Sequence, residues 1–255
     1  MELDKLREAV NSYMDYNQAL LAWDLVKDAP GNLRDRVWLK VKHAFDPESY
    51  KNYYSELLVE SPFREEYVYD CTGLEPRLKW CADNIVTKKQ SPMVDLGCAD
   101  GFFSLTVARY GIDCIGVNLY QPSVDLANKR AKENNLPAKF YCENLLDHIS
   151  YTGYQAVVMM EVLEHMAIPE EGMAKAYQLA KPGASIYLST PRDDHVGIEK
   201  HLEEVGRESW DDGKPAGHLR LFTEEEFKNM LKPYKVEQFL VDENKNMCVE
   251  IIKEV

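Results

Sequence analysis

The sequence predicts an α/β fold built on a mostly parallel sheet, and two features of its second part indicate this. From residue 92 onward, short apolar runs alternate with longer segments of helical periodicity, as in parallel strands joined by helices. The chain then finishes with two extended runs, Lys235–Val241 and Met247–Ile252, joined by the polar stretch Asp242–Asn246. This finish predicts a terminal hairpin.

Residues 1–90 have the pattern of a helical N-terminal extension. Apolar residues recur at steps of three and four from Leu3 to Leu21, Pro30-Gly31 ends that helix, and Asp46-Pro47 begins a later one. A last helix is predicted around Leu74–Ile85. We expect these helices to cap a site, to form the interface of a homodimer, or simply to pack on the sheet.

Residues 91–255 are predicted to form the second unit, a sheet with its covering helices. The predicted strands are 92–96, 112–117, 138–142, 154–160 and 184–190, and the predicted helices are roughly 101–110, 121–134 and 169–180. Lys181-Pro182-Gly183 is expected to end the third of these helices. Thr223 followed by Glu226 predicts a capping box that begins another helix.

The composition indicates a globular protein with a small or neutral ligand. The formal net charge is −13, and so acidic a surface repels phosphate backbones, which makes nucleic acid an unfavourable partner. No apolar run is long enough to predict a membrane span, and the N-terminus lacks the profile of a secretion signal. The six cysteines include no CxxC pair, so we expect core thiols in the reducing cytoplasm.

A glycine-containing loop joins the first predicted strand to the helix after it. Its sequence, VDLGCADGFFSL, runs from Val94 to Leu105, and Gly97 and Gly101 bracket a tight turn. Backbone can approach a ligand closely at such a loop, and the free N–H groups of the helix point at it. The loop lacks the Gly-Lys-Ser/Thr ending of a phosphate loop and the GxGxxG spacing of a dinucleotide site. It therefore predicts a different ligand, or else a sharp turn that binds none.

This stretch resembles motif I of class I S-adenosylmethionine (SAM)-dependent methyltransferases, with Ala99 where glycine is usual. The resemblance extends over about residues 92–255. It implies a seven-stranded Rossmann-like sheet whose last strand is antiparallel, with helices on both faces, and SAM as the cofactor. The residues that it assigns to the methionine half of SAM are Asp95, Gly97, Cys98, Ala99, Gly101 and Phe102, with Asp95 near the ammonium group.

The next two strand ends carry polar residues where the resemblance implies the rest of the cofactor. Asn118, followed by Leu119, stands where the family usually has an acidic residue that holds both ribose hydroxyls. An asparagine can accept one hydroxyl proton and donate to the other oxygen. After the third strand, Glu143 or Asn144 is expected to bond the adenine amino group, and Leu145 to contact its ring.

The run EVLEH, from Glu161 to His165, follows the fourth strand. If it is helical, Glu161 lies one turn from both Glu164 and His165, and the three side chains suit a divalent metal such as Mg or Mn, or a catalytic base. The run resembles that of ubiquinone-type O-methyltransferases and of small-RNA 3′-end 2′-O-methyltransferases. In the RNA enzymes it supplies metal ligands together with a later histidine, which His218 matches here. Otherwise Glu161 only lines the cofactor pocket and His165 packs.

The predicted function is transfer of a methyl group from SAM to an oxygen of a small molecule or glycan. His165 or His218 is expected to act as the base, with Glu164 as a further catalytic residue. No Asn/Asp-Pro-Pro-Tyr/Phe motif of N-methyltransferases follows the fourth strand. Two alternatives stay open: an RNA 2′-O-methyltransferase with a metal held by Glu161, Glu164, His165 and His218, and a noncatalytic SAM-binding subunit. The glycine spacing disfavours a nucleotide-dependent oxidoreductase.

Overall fold

A computed structural model of the protein describes residues 74–147, 152–166, 168–192 and 222–254. The strands are β1 Met93–Leu96, β2 Cys114–Asn118, β3 Ala138–Cys142, β4 Tyr154–Met160, β5 Ala180–Pro191, β6 Lys235–Val241 and β7 Asn246–Ile252. The helices in these ranges are α1 Pro76–Thr87, α2 Phe102–Ala108, α3 Gln121–Glu133, α4 Pro169–Leu179 and α5 Glu224–Leu231, with a single 3₁₀ turn at Leu163–His165.

The strands form one seven-stranded sheet with the order β3-β2-β1-β4-β5-β7-β6. The pairs from β3 to β5 are parallel, whereas β7 runs antiparallel to both of its neighbours. Together with helices on both faces, this confirms the predicted fold class, an α/β Rossmann-like sheet whose last strand is antiparallel. The helices that are described are each too short or too polar to cross a membrane.

Helices cover both faces of the sheet and bury its apolar residues. On one face, α4 and α5 bury Met173 and Phe227 against Val94 and Leu96 of β1. On the other face, α1 and α2 pack over Met93 and its neighbours, and α3 packs beside α2. Burial of each large apolar side chain stabilises the fold by about 1.5–3 kcal/mol, so this alternation along β1 determines which way its side chains face.

The helix predicted around Leu74–Ile85 is observed as α1, and it packs directly on the sheet. Cys81, Ala82 and Ile85 are fully buried in one cluster with Tyr187 of β5. The ring of Trp80 meets that of Tyr187 edge-on, with 5.6 Å between the ring centroids. The rest of the predicted helical extension lies outside the described residues, and the division of the chain at residue 90 stays a prediction.

The start of β5 differs from the prediction. Helix α4 ends at Leu179 and the strand begins at Ala180, so Lys181-Pro182-Gly183 lies within the strand instead of before it. Ala180 pairs with Tyr154 and Ser185 with Ala156, which leaves the intervening residues as an irregularity where Gly183 has a φ of 78°. Pairing with β4 therefore extends the strand through a sequence that locally favours a turn. The predicted capping box is confirmed, with Thr223 and Glu226 each bonding the other's backbone N–H.

The strand order reverses between β1 and β4. From β1 the chain proceeds to β2 and β3 on one side, and it returns to β4 on the other side of β1. In open α/β sheets, ligands bind in the crevice at the carboxyl ends of the strands at such a switch point. The glycine loop follows β1 and the EVLEH run follows β4, so both sequence signals lie at this crevice.

Candidate active site

The loop after β1 takes left-handed backbone conformations at three positions. The φ angle is 83° at Gly97, 48° at Ala99 and 77° at Gly101. Glycine adopts this region freely, whereas a residue with a Cβ atom is strained there by roughly 1–2 kcal/mol. Ala99 therefore occupies a position that glycine would fill with less strain.

Close neighbours also leave no room for side chains at the two glycines. A Cβ atom at Gly97 would lie 2.5 Å from Cγ2 of Val162, in the run after β4. A Cβ atom at Gly101 would lie 2.7 Å from Cβ of Ala127 in α3. Both distances are far below normal contact, so the loop fits between the end of β4 and α3 only because glycine is present at both positions.

Hydrogen bonds join this loop to the end of β2. The backbone N–H groups of Gly97 and Cys98 both donate to the carbonyl of Val117, at 2.8 and 3.0 Å. Nδ2 of Asn118 donates to the carbonyl of Ala99 at 3.2 Å. The amide of Asn118 thus uses its nitrogen to hold the loop, which leaves its oxygen to accept a hydrogen bond from a ligand hydroxyl.

Asp95 lies on the α2 side of β1 and is 4% exposed. Its carboxylate accepts a 2.7 Å hydrogen bond from the hydroxyl of Ser104 in α2. Burial raises the pKa of Asp95 from 3.8 to about 6, and the hydrogen bond from Ser104 opposes that rise. A cation near this carboxylate would stabilise its charged form, so the geometry is compatible with the predicted ammonium contact.

The residues predicted to hold ribose and adenine lie together at the carboxyl ends of β2 and β3. The N–H of Glu143 donates to the carbonyl of Asn118 at 3.0 Å, and the thiol of Cys142 approaches the carbonyl of Leu119 at 3.4 Å. Leu145 packs against the core. Oδ1 of Asn144 accepts a hydrogen bond from the N–H of Leu146, so its side chain is part of a local turn. The choice between Glu143 and Asn144 stays open.

Glu161 turns the chain out of β4, with a φ of 55°. Its Oε1 accepts a 2.8 Å hydrogen bond from the hydroxyl of Ser189 in β5 and lies 3.6 Å from Nε of Arg77. Burial raises the pKa of Glu161, and the charge of Arg77 lowers it. The carboxylate is thus held at the edge of the crevice by β5 and α1.

Glu164 is fully buried behind Glu161. Its Oε2 accepts a 3.1 Å hydrogen bond from the hydroxyl of Thr190, and its Oε1 has no hydrogen-bond partner among the described residues. Burial, and then the charge of Glu161, raise the pKa of Glu164 well above its usual range. The environment therefore favours the protonated carboxyl. His165 follows at the end of the 3₁₀ turn and is half-buried.

The predicted convergence of Glu161, Glu164 and His165 is wrong. It required an α-helix, but β4 extends to Met160, Glu161 forms a bend, and only Leu163–His165 is helical, as a single 3₁₀ turn. In the ranges that the structure covers, no three His, Cys, Asp or Glu side chains are grouped so that they could hold a metal ion. His218, the fourth predicted ligand and a candidate base, lies outside those ranges.

The sequence interpretation missed Arg77. This residue lies in the first turn of α1, is 17% exposed, and forms ion pairs with Glu75 and Glu161. Its Nε atom is buried and has no hydrogen-bond partner within the described part of the chain. No local pattern marks Arg77, because its contact with Glu161 depends on how α1 packs across the sheet.

A family model described as a methyltransferase domain matches residues 61–234, which is more than half of the chain. The chain belongs to this methyltransferase family. The match includes the glycine loop, the EVLEH run and most of the sheet, so the resemblance of those stretches is part of a domain-length similarity.

The relatives and solved structures agree with this assignment. The ubiquinone biosynthesis O-methyltransferase of Photorhabdus laumondii is 31% identical over 100 residues, which are 38% of this chain and 42% of that protein. The protein of the same name from Coxiella burnetii is 28% identical over 115 residues, 45% of this chain and 49% of its own length. The chain thus spans about half the length of the curated relatives that it matches. The structure of magnesium protoporphyrin IX methyltransferase from Synechocystis with bound SAH has a TM-score of 0.55 at 13% identity, covering 82% of this chain and 97% of that one, and this likeness shows the fold.

Proposed function

We propose that this protein transfers a methyl group from SAM to an oxygen atom of a small molecule or glycan. The observation that carries the proposal is the glycine loop at the switch point. Gly97 and Gly101 let the loop lie against Val162 and α3 where no Cβ atom would fit, and the loop opens into the crevice between β1 and β4. Membership in the methyltransferase family supports SAM as the ligand of that crevice.

The groups around the crevice fit the parts of SAM. The carboxylates of Asp95 and Glu161 suit its positive charges, and the oxygen of Asn118 suits a ribose hydroxyl. The guanidinium of Arg77 suits the carboxylate of the methionine half. A buried donor such as Nε of Arg77, unpartnered among the described residues, costs free energy, and a bound carboxylate would remove that cost.

SAM supplies an electrophilic methyl group when it is bound. Because transfer of that group disperses charge, the chain contributes mainly by orienting the reactants, excluding water and removing a proton from the acceptor. We assign the proton-accepting role to His165, which is half-buried directly after β4, or to His218. Glu164 supports this edge from behind, because its buried carboxyl joins the end of β4 to Thr190 of β5.

A neutral hydroxyl suits the acceptor side of this crevice better than an anionic group. Glu161 and Glu164 lie at this edge, and the carboxylate of Asp242 is near enough to add to the rise that burial causes in the pKa of Glu161. These acidic groups and the net charge of −13 disfavour a phosphate-bearing acceptor. Relatives named as O-methyltransferases support an oxygen acceptor. The RNA alternative is weaker because Glu161, Glu164 and His165 do not form the metal-binding group that it requires.

Thermal unfolding with and without ligand tests the cofactor first. SAM or SAH at 100 times its dissociation constant should add about 2.7 kcal/mol to the free energy of unfolding and raise the melting temperature. If neither ligand raises it, the proposed cofactor is wrong. Incubation with SAM and a panel of phenols, sugars and short RNAs, followed by mass spectrometry, then identifies the acceptor. Binding of SAM without methylation of any panel member would favour the noncatalytic subunit, and methylation of RNA alone, abolished by a chelator, would favour the RNA enzyme.

A further inference from the structure

An ion pair connects the glycine loop to helix α3. Nη1 of Arg130 donates a 2.8 Å hydrogen bond to Oδ2 of Asp100, and the two side chains are only 11% and 17% exposed. Oδ1 of Asp100 lies 3.4 Å from the N–H of Phe102, the first residue of α2. One carboxylate therefore joins α3, the loop and the start of α2. Partial burial protects such a pair from the screening that weakens surface ion pairs.

Helix α3 has its own attachment to the sheet. The side-chain amide of Asn128 bonds both backbone groups of Phe140 in β3, at 2.9 and 3.0 Å. The ring of Phe140 lies under Gly101, where a Cβ atom would approach it to 2.8 Å. The position of α3 is thus determined without the ion pair, and Arg130 extends from this anchored helix to the loop.

The loop requires such support at the residue beside Asp100. Ala99 has a φ of 48°, in the region where a side chain is strained. Strained backbone persists where surrounding contacts hold it. Two such contacts flank the strain, since Asn118 bonds the carbonyl of Ala99 and Arg130 bonds the side chain of the next residue.

We propose that Arg130 is a positioning residue for the cofactor. Through Asp100 it holds the loop in the conformation that receives the methionine half of SAM, although Arg130 itself contacts no part of the ligand. The inference rests on the proposed function, because it concerns the site assigned there to SAM. It predicts a selective effect: loss of the ion pair weakens binding of ligands that carry the amino-acid half and spares those that lack it.

Isothermal titration with two ligands tests this selectivity. SAH carries the amino-acid half, and 5′-methylthioadenosine has the same adenosine thioether without it. For Arg130→Met we expect the dissociation constant of SAH to rise about tenfold, roughly 1.4 kcal/mol, and that of 5′-methylthioadenosine to change less than about twofold. Arg130→Lys should recover part of the loss because it restores a cation. The control is Lys129→Met, since Lys129 is exposed, lies next to Arg130 and pairs only loosely with Glu133 at 3.8 Å, and it should leave both constants unchanged.

A second variant and the wild type make the outcome decisive. Asp100→Asn should cause the same selective loss, and the double variant with Arg130→Met should lose little more, because both changes break one interaction. This keeps the test valid if Arg130→Met does not fold. Equal losses for the two ligands, or unchanged SAH affinity in the folded variants, would overturn the positioning role. Failure of the wild type to bind SAH would instead refute the proposed function.

Discussion

Asp95 allows a test in which stability and cofactor affinity change in opposite directions. Asp95→Asn keeps the size of the side chain and an oxygen that can accept the hydrogen bond from Ser104, but it removes the charge. Raising the pKa of Asp95 from 3.8 to about 6 means that the ionised form is disfavoured by about 3 kcal/mol in the folded protein relative to the unfolded chain.

The pH dependence follows from the direction of that change. The folded protein retains the Asp95 proton to a higher pH than the unfolded chain does. The stability provided by the protonated form is fully present below about pH 4 and is lost as the pH rises through about 6. Asparagine does not titrate, so the variant should not lose this stability at neutral pH.

Urea unfolding without ligand measures the effect. At pH 7.5 we expect Asp95→Asn to be more stable than the wild type by about 1–3 kcal/mol, the lower values applying if its amide N–H groups lack partners. The difference should vanish near pH 4. Asp125→Asn, which changes an exposed carboxylate on α3, serves as the control and should show no such pH dependence. A wild type that is the more stable protein at pH 7.5 would refute the reasoning about burial.

The same variant should bind SAH more weakly, by about tenfold, because the ligand's ammonium group loses a partly buried counter-charge. Titration of wild type and variant with SAH measures this loss. Unchanged affinity would show that Asp95 is not near the ammonium group, whatever its effect on stability.

Three further substitutions test the loop and the buried carboxyl. Gly97→Ala should destabilise the protein by about 2–4 kcal/mol in urea unfolding, because its Cβ atom meets Val162 at 2.5 Å in addition to the strain of positive φ; the control Gly111→Ala, with a φ of 79° and no described atom within 4 Å of its added Cβ, should lose only the strain energy of about 1–2 kcal/mol. Ala99→Gly should raise stability by about 0.5–1 kcal/mol, as relief of strain exceeds the added entropy of the unfolded chain, and a clear loss would contradict the strained geometry. Glu164→Gln should be as stable as the wild type at pH 7, because it keeps an uncharged acceptor for Thr190, whereas Glu164→Ala should lose about 2–4 kcal/mol; equal losses would argue that the wild-type carboxyl is charged.

Local patterns in the sequence determined most of the architecture. The apolar residues of β1 and β4 form short runs and those of the helices recur at helical spacing, so each element carries its own signal. The capping box at Thr223 and the final hairpin are local in the same way, since their hydrogen bonds join residues close in the chain. The glycine loop was identified because its conformation depends on missing side chains, which the sequence shows directly.

Tertiary structure decided how the polar residues of the site are paired. The spacing of Glu161 and Glu164 suits a helix, but pairing of β4 with β1 and β5 extends the strand to Met160, and the two carboxyls then bond Ser189 and Thr190 instead of converging with His165. The contacts of Arg77 with Glu161 and of Arg130 with Asp100 join residues that are distant in the chain. Such contacts depend on how helices dock across the sheet, and burial at those docked positions sets the pKa of each acid. Chain order alone carries neither quantity.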